Sequence, residues 1–200
     1  MQQIVVIHGG TTFNSHDEFV NSLLTKEVTL DYFKSKLDWK SNLQKELGEN
    51  YEVLSPRLPN KENAQYADWK IWFERMIPFL ADDVISIGHS LGALFLLKYL
   101  SENVLSKKIK AIFLIAPPFD EGAGCEPLGT FKLTSGLNLY KNQIGRISFF
   151  FSNDDLVVPP YHREKYQQSL PEARFNVFED RRHFGQLEFP ELIKEIKTNQ

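Results

Sequence analysis

A serine hydroxyl becomes a useful nucleophile only when a turn exposes it and a nearby base takes its proton. The run Gly88-His89-Ser90-Leu91-Gly92 supplies such a turn. It is entered from the apolar segment Val84–Ile87 and followed at once by an amphipathic stretch, which is a strand-to-helix elbow around a G-x-S-x-G sequence. Glycine on either side of the serine has no Cβ, so a sharp backbone and a close strand-helix approach become possible. The start of the following helix aims its positive end at whatever Ser90 attacks. Composition alone produces the run in roughly one chain in fifteen of this length. Its weight therefore comes from the strand before it and the helix after it.

Ser90 needs a base, and the base needs a group to orient it. In an open α/β sheet, functional groups gather at the carboxyl ends of strands. Of the five histidines, His8 ends the first strand pattern, His16 lies in the first connection and His89 sits inside the elbow. His162 follows Pro159-Pro160 at the start of a helix. His183 comes just after the last strand and is the expected base. A carboxylate between Ser90 and His183 completes the order Ser…Asp/Glu…His. Asp154 and Asp155 both follow the apolar run Ile147–Phe151. Asp155 is preferred and Asp154 is its rival, one of the pair serving a turn or a helix cap. Asp120 and Glu121 are weaker competitors.

An oxyanion forming at the attacked carbonyl calls for two fixed backbone N–H donors. Leu91, next to the nucleophile at a helix start, supplies one. The loop His8-Gly9-Gly10-Thr11-Thr12 at the end of the first strand supplies the other, with Gly10 the first choice and Thr11 the next. Substrate contacts are expected from Thr11, Phe13, His89 and Phe119, with Leu128 and Phe131 as further wall candidates in the Phe119–Tyr140 loop.

These residues must be held by strands and helices that alternate along the chain. Strands are predicted at Ile4–Ile7, Glu52–Ser55, Val84–Gly88, Ile109–Ile115, Ile147–Phe151 and Phe175–Phe178. Most are continuous apolar runs, as in strands covered on both faces. Helices are predicted at Asp17–Leu24, Tyr32–Leu47, Gln65–Leu80, after Ser90, after Pro159-Pro160, and at Phe184–Lys197. The expectation is a three-layer α/β/α sandwich on a mainly parallel sheet of about six strands, one domain over residues 1–200. Two connections are long: Phe13–Glu49, and Pro117–Gln143 with its glycines 122, 124, 129 and 136.

A net charge of −3 and only short basic clusters speak against a nucleic-acid or anionic-membrane partner. The single cysteine, Cys125, has no disulfide partner within the chain and is read as incidental. With no signal-peptide pattern and no membrane-length apolar run, the expected setting is cytoplasmic. No metal-ligand spacing and no nucleotide-binding glycine motif is present, so no metal and no cofactor is expected.

Together, His8-Gly9-Gly10, the elbow at Ser90, Ser152-Asn153-Asp154-Asp155 through Pro159, and Arg182-His183-Phe184 resemble the α/β-hydrolases. Tyr66-Ala67-Asp68-Trp69, Ala116-Pro117-Pro118-Phe119 and the lack of early antiparallel strands resemble the small lidless branch, the serine hydrolases of the retinoblastoma-binding-protein-nine type. In the branch's G-x-x-D-x-x-V-P pattern the acid falls on Asp155, with Ser152 in place of the glycine. Arg182 stands where a glycine often precedes the histidine. The resemblance implies acyl transfer through a Ser90–His183–Asp155 triad on a small or medium acyl substrate, esters favoured. A hydrolase-fold binding module without turnover and an acyltransferase using the same groups are the alternatives. The Phe13–Glu49 connection is longer than the branch usually shows, and the resemblance assigns it no role.

Overall fold

The computed structural model describes residues 1–122, 125–133, 137 and 143–198. The expectations placed on Gly124, Gly136 and Tyr140 fall outside the described residues. Strands β1 (Gln2–Ile7), β2 (Tyr51–Leu54), β3 (Val84–His89), β4 (Ile109–Ile115), β5 (Ile144–Ser152) and β6 (Arg174–Phe178) form one sheet in the order β2-β1-β3-β4-β5-β6. Every neighbouring pair is parallel. Between them run helices α1 (His16–Thr25), α2 (Trp39–Leu47), α3 (Tyr66–Met76), α4 (Leu91–Glu102), α5 (Tyr161–Ser169) and α6 (Pro190–Lys197). This is the expected minimal α/β-hydrolase architecture. No helix among the described residues is long and apolar enough to cross a membrane.

Alternation along the strands sends side chains to two cores. Val5, Ile7, Ile112, Leu114, Phe149 and Phe151 face a core shared with α3 and α4. Ile4, Val6, Ile85, Ile87, Phe113 and Phe150 face the other, closed by Trp39, Leu43 and Leu47 of α2 and Leu192 and Ile196 of α6. Both faces are covered, which is why these strands read as unbroken apolar runs. The chain leaves β1 for one edge, through β2, and later returns beside β1 as β3. The loops after β1 and β3 therefore diverge at a switch point, where a crevice opens at the carboxyl ends of the strands.

Three predicted helices are shorter than their sequence patterns, Gln65–Leu80 being α3 and then a 3-10 turn at Ile77–Phe79. The stretch Tyr32–Leu47 is a short 3-10 turn at Leu30–Phe33 and then α2, because Asp38 takes an extended conformation and caps the new helix at the Lys40 N–H, 3.0 Å away. Phe184–Lys197 is helical only from Pro190. Proline at the first helical position holds Phe189 out of the helical region, and Phe184 has a φ of 55°. The helix α1 buries none of its residues, and Leu23 and Leu24 within it, like Leu30 and Phe33 in the segment that joins it to α2, are exposed.

Backbone strain concentrates at one edge of the sheet. Of the six non-glycine residues with positive φ among the described residues, Asn60, Ser90, Ala116, Arg182 and Phe184 lie in loops beyond strand carboxyl ends, and Asp83 precedes β3. Such conformations persist where the surroundings over-determine them, and they mark functional edges.

Candidate active site

Ser90 occupies the tip of the turn between β3 and α4 with φ 55° and ψ −125°, a conformation that costs a non-glycine residue of order 1–3 kcal/mol. Its N–H donates to the Ile115 carbonyl at 2.8 Å, which ties the turn to β4. The flanking glycines are sterically required. A Cβ on Gly88 would lie 2.5 Å from the Ala93 Cα, and one on Gly92 would lie 2.5 Å from the Ile7 oxygen and against the His8 oxygen. Strand and helix thus approach more closely than any side chain would permit.

His183 Nδ1–H donates to Asp155 Oδ2 at 2.8 Å. The other carboxylate oxygen of Asp155 accepts the N–H groups of Val157 at 2.8 Å and Val158 at 3.0 Å. This buried carboxylate therefore has three donors, and its direction is fixed by its own turn. With the proton on Nδ1, Nε2 is the acceptor of the ring and can serve as a base. Asp154 points elsewhere. Its Oδ1 accepts the Ser152 hydroxyl at 2.6 Å and the Arg182 N–H at 2.8 Å, and the Ser152 bond holds its carboxyl below the usual range. Ser152 Oγ in turn accepts the Arg181 N–H at 3.0 Å. Both departures from the branch's pattern meet here, since Arg182 takes a φ of 47° and a glycine would reach it without strain.

Leu91 is the first residue of α4, so its N–H has no carbonyl to bond within the helix. Gly10 faces the same cleft as Ser90 and Leu91. Thr11, the second choice for a donor, is committed: its N–H donates to the Lys61 carbonyl at 2.8 Å and its carbonyl accepts the Ala64 N–H at 2.9 Å. The turn is braced further by His8, whose Nδ1–H donates to the Gly9 carbonyl at 2.7 Å while Nε2 accepts the Leu58 N–H at 2.9 Å. Burial lowers the His8 pKa, in keeping with this neutral bridging role. The position of His8 at the strand end was visible in the sequence, but its brace to Leu58 is a tertiary contact.

The cleft beside Ser90 is small, with a volume of about 20 Å³. Thr12, Pro118, Leu128, Val157 and Val158 are among the residues that line it. The described lining includes none of the four residues expected at the substrate wall, and each has another place. Thr11 is held by the Lys61–Ala64 segment, and Phe13 packs on Phe19 at 5.4 Å between ring centroids. Phe119 packs edge-on against Tyr166 at 4.8 Å. His89 is buried against Trp39 and His183. Phe131 is fully buried core, whereas Leu128 does line the cleft. Thr12 was missed: its hydroxyl donates to the Pro127 carbonyl at 2.6 Å and ties the first loop to the far wall. His162 was also missed as a wall residue. Fully buried, it accepts the Phe119 N–H on Nδ1 at 3.0 Å, and burial pulls its pKa down to about 4. Among the described residues no cluster of histidine, cysteine and carboxylate side chains is arranged to hold a metal ion.

A family model described as "Serine hydrolase" matches residues 33–186. The chain belongs to that family. The match spans Ser90, Asp155 and His183, and the His8–Gly10 turn precedes it. Serine hydrolase RBBP9 of Rattus norvegicus is 26% identical over 148 residues, which is 74% of this chain and 77% of that one. In solved structures, the ydeN gene product from B. subtilis matches with a TM-score of 0.71 at 16% identity, covering 100% of this chain and 98% of that one. A yden-like hydrolase from Pectobacterium atrosepticum matches at 0.65 and 16% identity, over 98% and 90% of the two chains. At such identities the structural likeness is one of fold, and this serine hydrolase shares its α/β-hydrolase form.

Proposed function

We propose that this serine hydrolase cleaves carboxylic esters of short acyl groups through Ser90, His183 and Asp155. Ser90, held with φ 55° at the elbow, is the observation that carries the proposal, because a strained nucleophile turn is hard to account for as scaffold. His183 Nε2 takes the proton from Ser90 Oγ as the oxygen adds to the ester carbonyl. The charge that develops on the carbonyl oxygen is met by the N–H groups of Leu91 and Gly10. Collapse of the tetrahedral species expels the alcohol, which receives its proton from His183. Water, activated by the same imidazole, then releases the acid and restores Ser90. Asp155 holds the ring in the required tautomer and stabilises its cation.

The size of the cleft argues for short acyl chains. The cleft is narrow and is walled by the apolar side chains of Pro118, Leu128, Val157 and Val158, which favours a short acyl chain over a long one. A series of p-nitrophenyl esters from acetate to octanoate, with matched anilides and a Ser90→Ala blank, tests this directly. The expected result is the highest kcat/KM on acetate to butyrate, a fall of about tenfold or more by octanoate, and slower anilides. Turnover of every substrate no faster than the Ser90→Ala blank contradicts the proposal and favours a binding module.

A further inference from the structure

The long first connection ends in α2, and α2 grips the loop that carries His183. The main-chain N–H of Trp39 donates to the Gln186 carbonyl at 2.8 Å, and its indole Nε1–H donates to the Phe184 carbonyl at 3.0 Å. One turn on, Asn42 Nδ2 donates to the Leu187 carbonyl at 3.3 Å. The His183 carbonyl itself is taken by a different group, the Nε2–H of His89, at 2.9 Å. In a neutral ring that donates from Nε2 the other nitrogen is an acceptor, and Lys40 Nζ donates to that Nδ1 at 3.3 Å. Asp38, the cap of α2, pairs with Lys40 at 2.5 Å and so holds the ammonium in place. A chain Asp38–Lys40–His89–His183 carbonyl therefore runs from the connection to the histidine.

Two observations bear on what this grip does for the loop. Arg182 and Phe184, on either side of His183, both have positive φ, so the loop is strained at both flanks. The rings of His89 and His183 lie 5.1 Å apart, in packing contact. Burial holds the His89 pKa well below the usual imidazole value, with Lys40 and His183 adding to the effect. His89 is thus a neutral ring, and Lys40 selects which nitrogen carries its single proton.

We propose that Lys40 and His89 are positioning residues for His183, fixing the direction of its ring through its backbone carbonyl. The proposal rests on the triad proposed above, and it gives the Phe13–Glu49 connection a role: its last part is a brace for the base. Neither residue need touch substrate.

The test compares wild type with Lys40→Met, His89→Ala and His89→Gln. Glutamine places an amide N–H near the position of Nε2, whereas alanine places nothing. With p-nitrophenyl acetate, kcat is expected to fall about 3- to 10-fold in Lys40→Met and about 10- to 100-fold in His89→Ala, with KM within about twofold. His89→Gln should recover to within about fivefold of wild type. The same samples report the low-field Nδ1–H proton resonance of His183, assigned by its loss in His183→Asn. It should broaden or shift in Lys40→Met and His89→Ala and return in His89→Gln. That signal depends on the Asp155 bond and not on any substrate, so it judges the brace even if no ester is turned over. The proposal is overturned if kcat and the resonance persist in both Lys40→Met and His89→Ala. It is overturned equally if both are lost in His89→Ala and His89→Gln restores neither, since His89 would then act by packing alone.

Discussion

Asp154 Oδ1 accepts the Arg182 N–H at 2.8 Å, so the acid that does not touch the histidine ring holds the residue before it. Adjacent carboxylates thus divide the work. Asp155 orients the imidazole, and Asp154 fastens the loop that carries it.

This division predicts unequal effects of two similar substitutions. Asp155→Asn presents an amide N–H to His183 Nδ1, disfavours the required tautomer, and should lower kcat by about 10³- to 10⁴-fold. Asp154→Asn keeps an oxygen for the Arg182 N–H and should cost less than about tenfold in kcat, with a lower melting temperature. Steady-state kinetics and thermal melts of both variants check the ranking.

The strained turn at Ser90 makes a prediction about stability. Ser90→Ala keeps the positive φ and should melt near the wild-type temperature while abolishing turnover. Ser90→Gly relieves the strain and should be more stable than Ser90→Ala by about 1 kcal/mol, less the entropy glycine gains in the unfolded chain. Chemical denaturation of the two variants measures the difference.

Close approach at Gly92 predicts a steep penalty for one methyl group. A Cβ there would meet the Ile7 and His8 carbonyl oxygens, which are backbone and cannot swing aside. Gly92→Ala should destabilise by about 1–3 kcal/mol and separate α4 from β1. Because the His8–Gly10 turn moves with those carbonyls, kcat should fall as well. A urea unfolding curve paired with kcat reads both effects.

Burial of His162 predicts an acid-sensitive fold. Above the ordinary imidazole value of 6.5, neither the folded nor the unfolded chain holds the second proton. Between 6.5 and about 4 the unfolded chain binds it and the folded chain does not, so stability falls as pH falls through that window. The full effect is about 3 kcal/mol, reached near pH 4. His162→Asn keeps an acceptor for the Phe119 N–H and removes the titration. Urea midpoints from pH 7 to 4.5 should therefore drop more steeply in wild type than in His162→Asn.

Much of this arrangement could be read along the chain. Strands buried on both faces announce themselves as apolar runs, and the elbow at Ser90 follows from glycine spacing between a strand and a helix. What the sequence left open depends on direction rather than type. Asp154 and Asp155 are the same residue at the same strand end, and only the turn that points one at His183 separates them. Thr11 and Thr12 likewise differ by one step along a loop, yet Thr12 lines the cleft and Thr11 pairs with Lys61. His89 sits beside the nucleophile in sequence, but its ring lies buried against Trp39 and His183. The roles of Trp39 and Lys40 rest on contacts to residues more than forty positions away, which no local pattern encodes.

The central claim is that Ser90 is a nucleophile activated by His183. Its most direct measurement is covalent labelling of the folded protein by a fluorophosphonate, read by intact mass and peptide mapping. The expected result is one adduct per chain on Ser90, absent in Ser90→Ala and slowed at least about 100-fold in His183→Ala. Folded wild-type protein that takes no label, or an adduct that persists in Ser90→Ala, would contradict it.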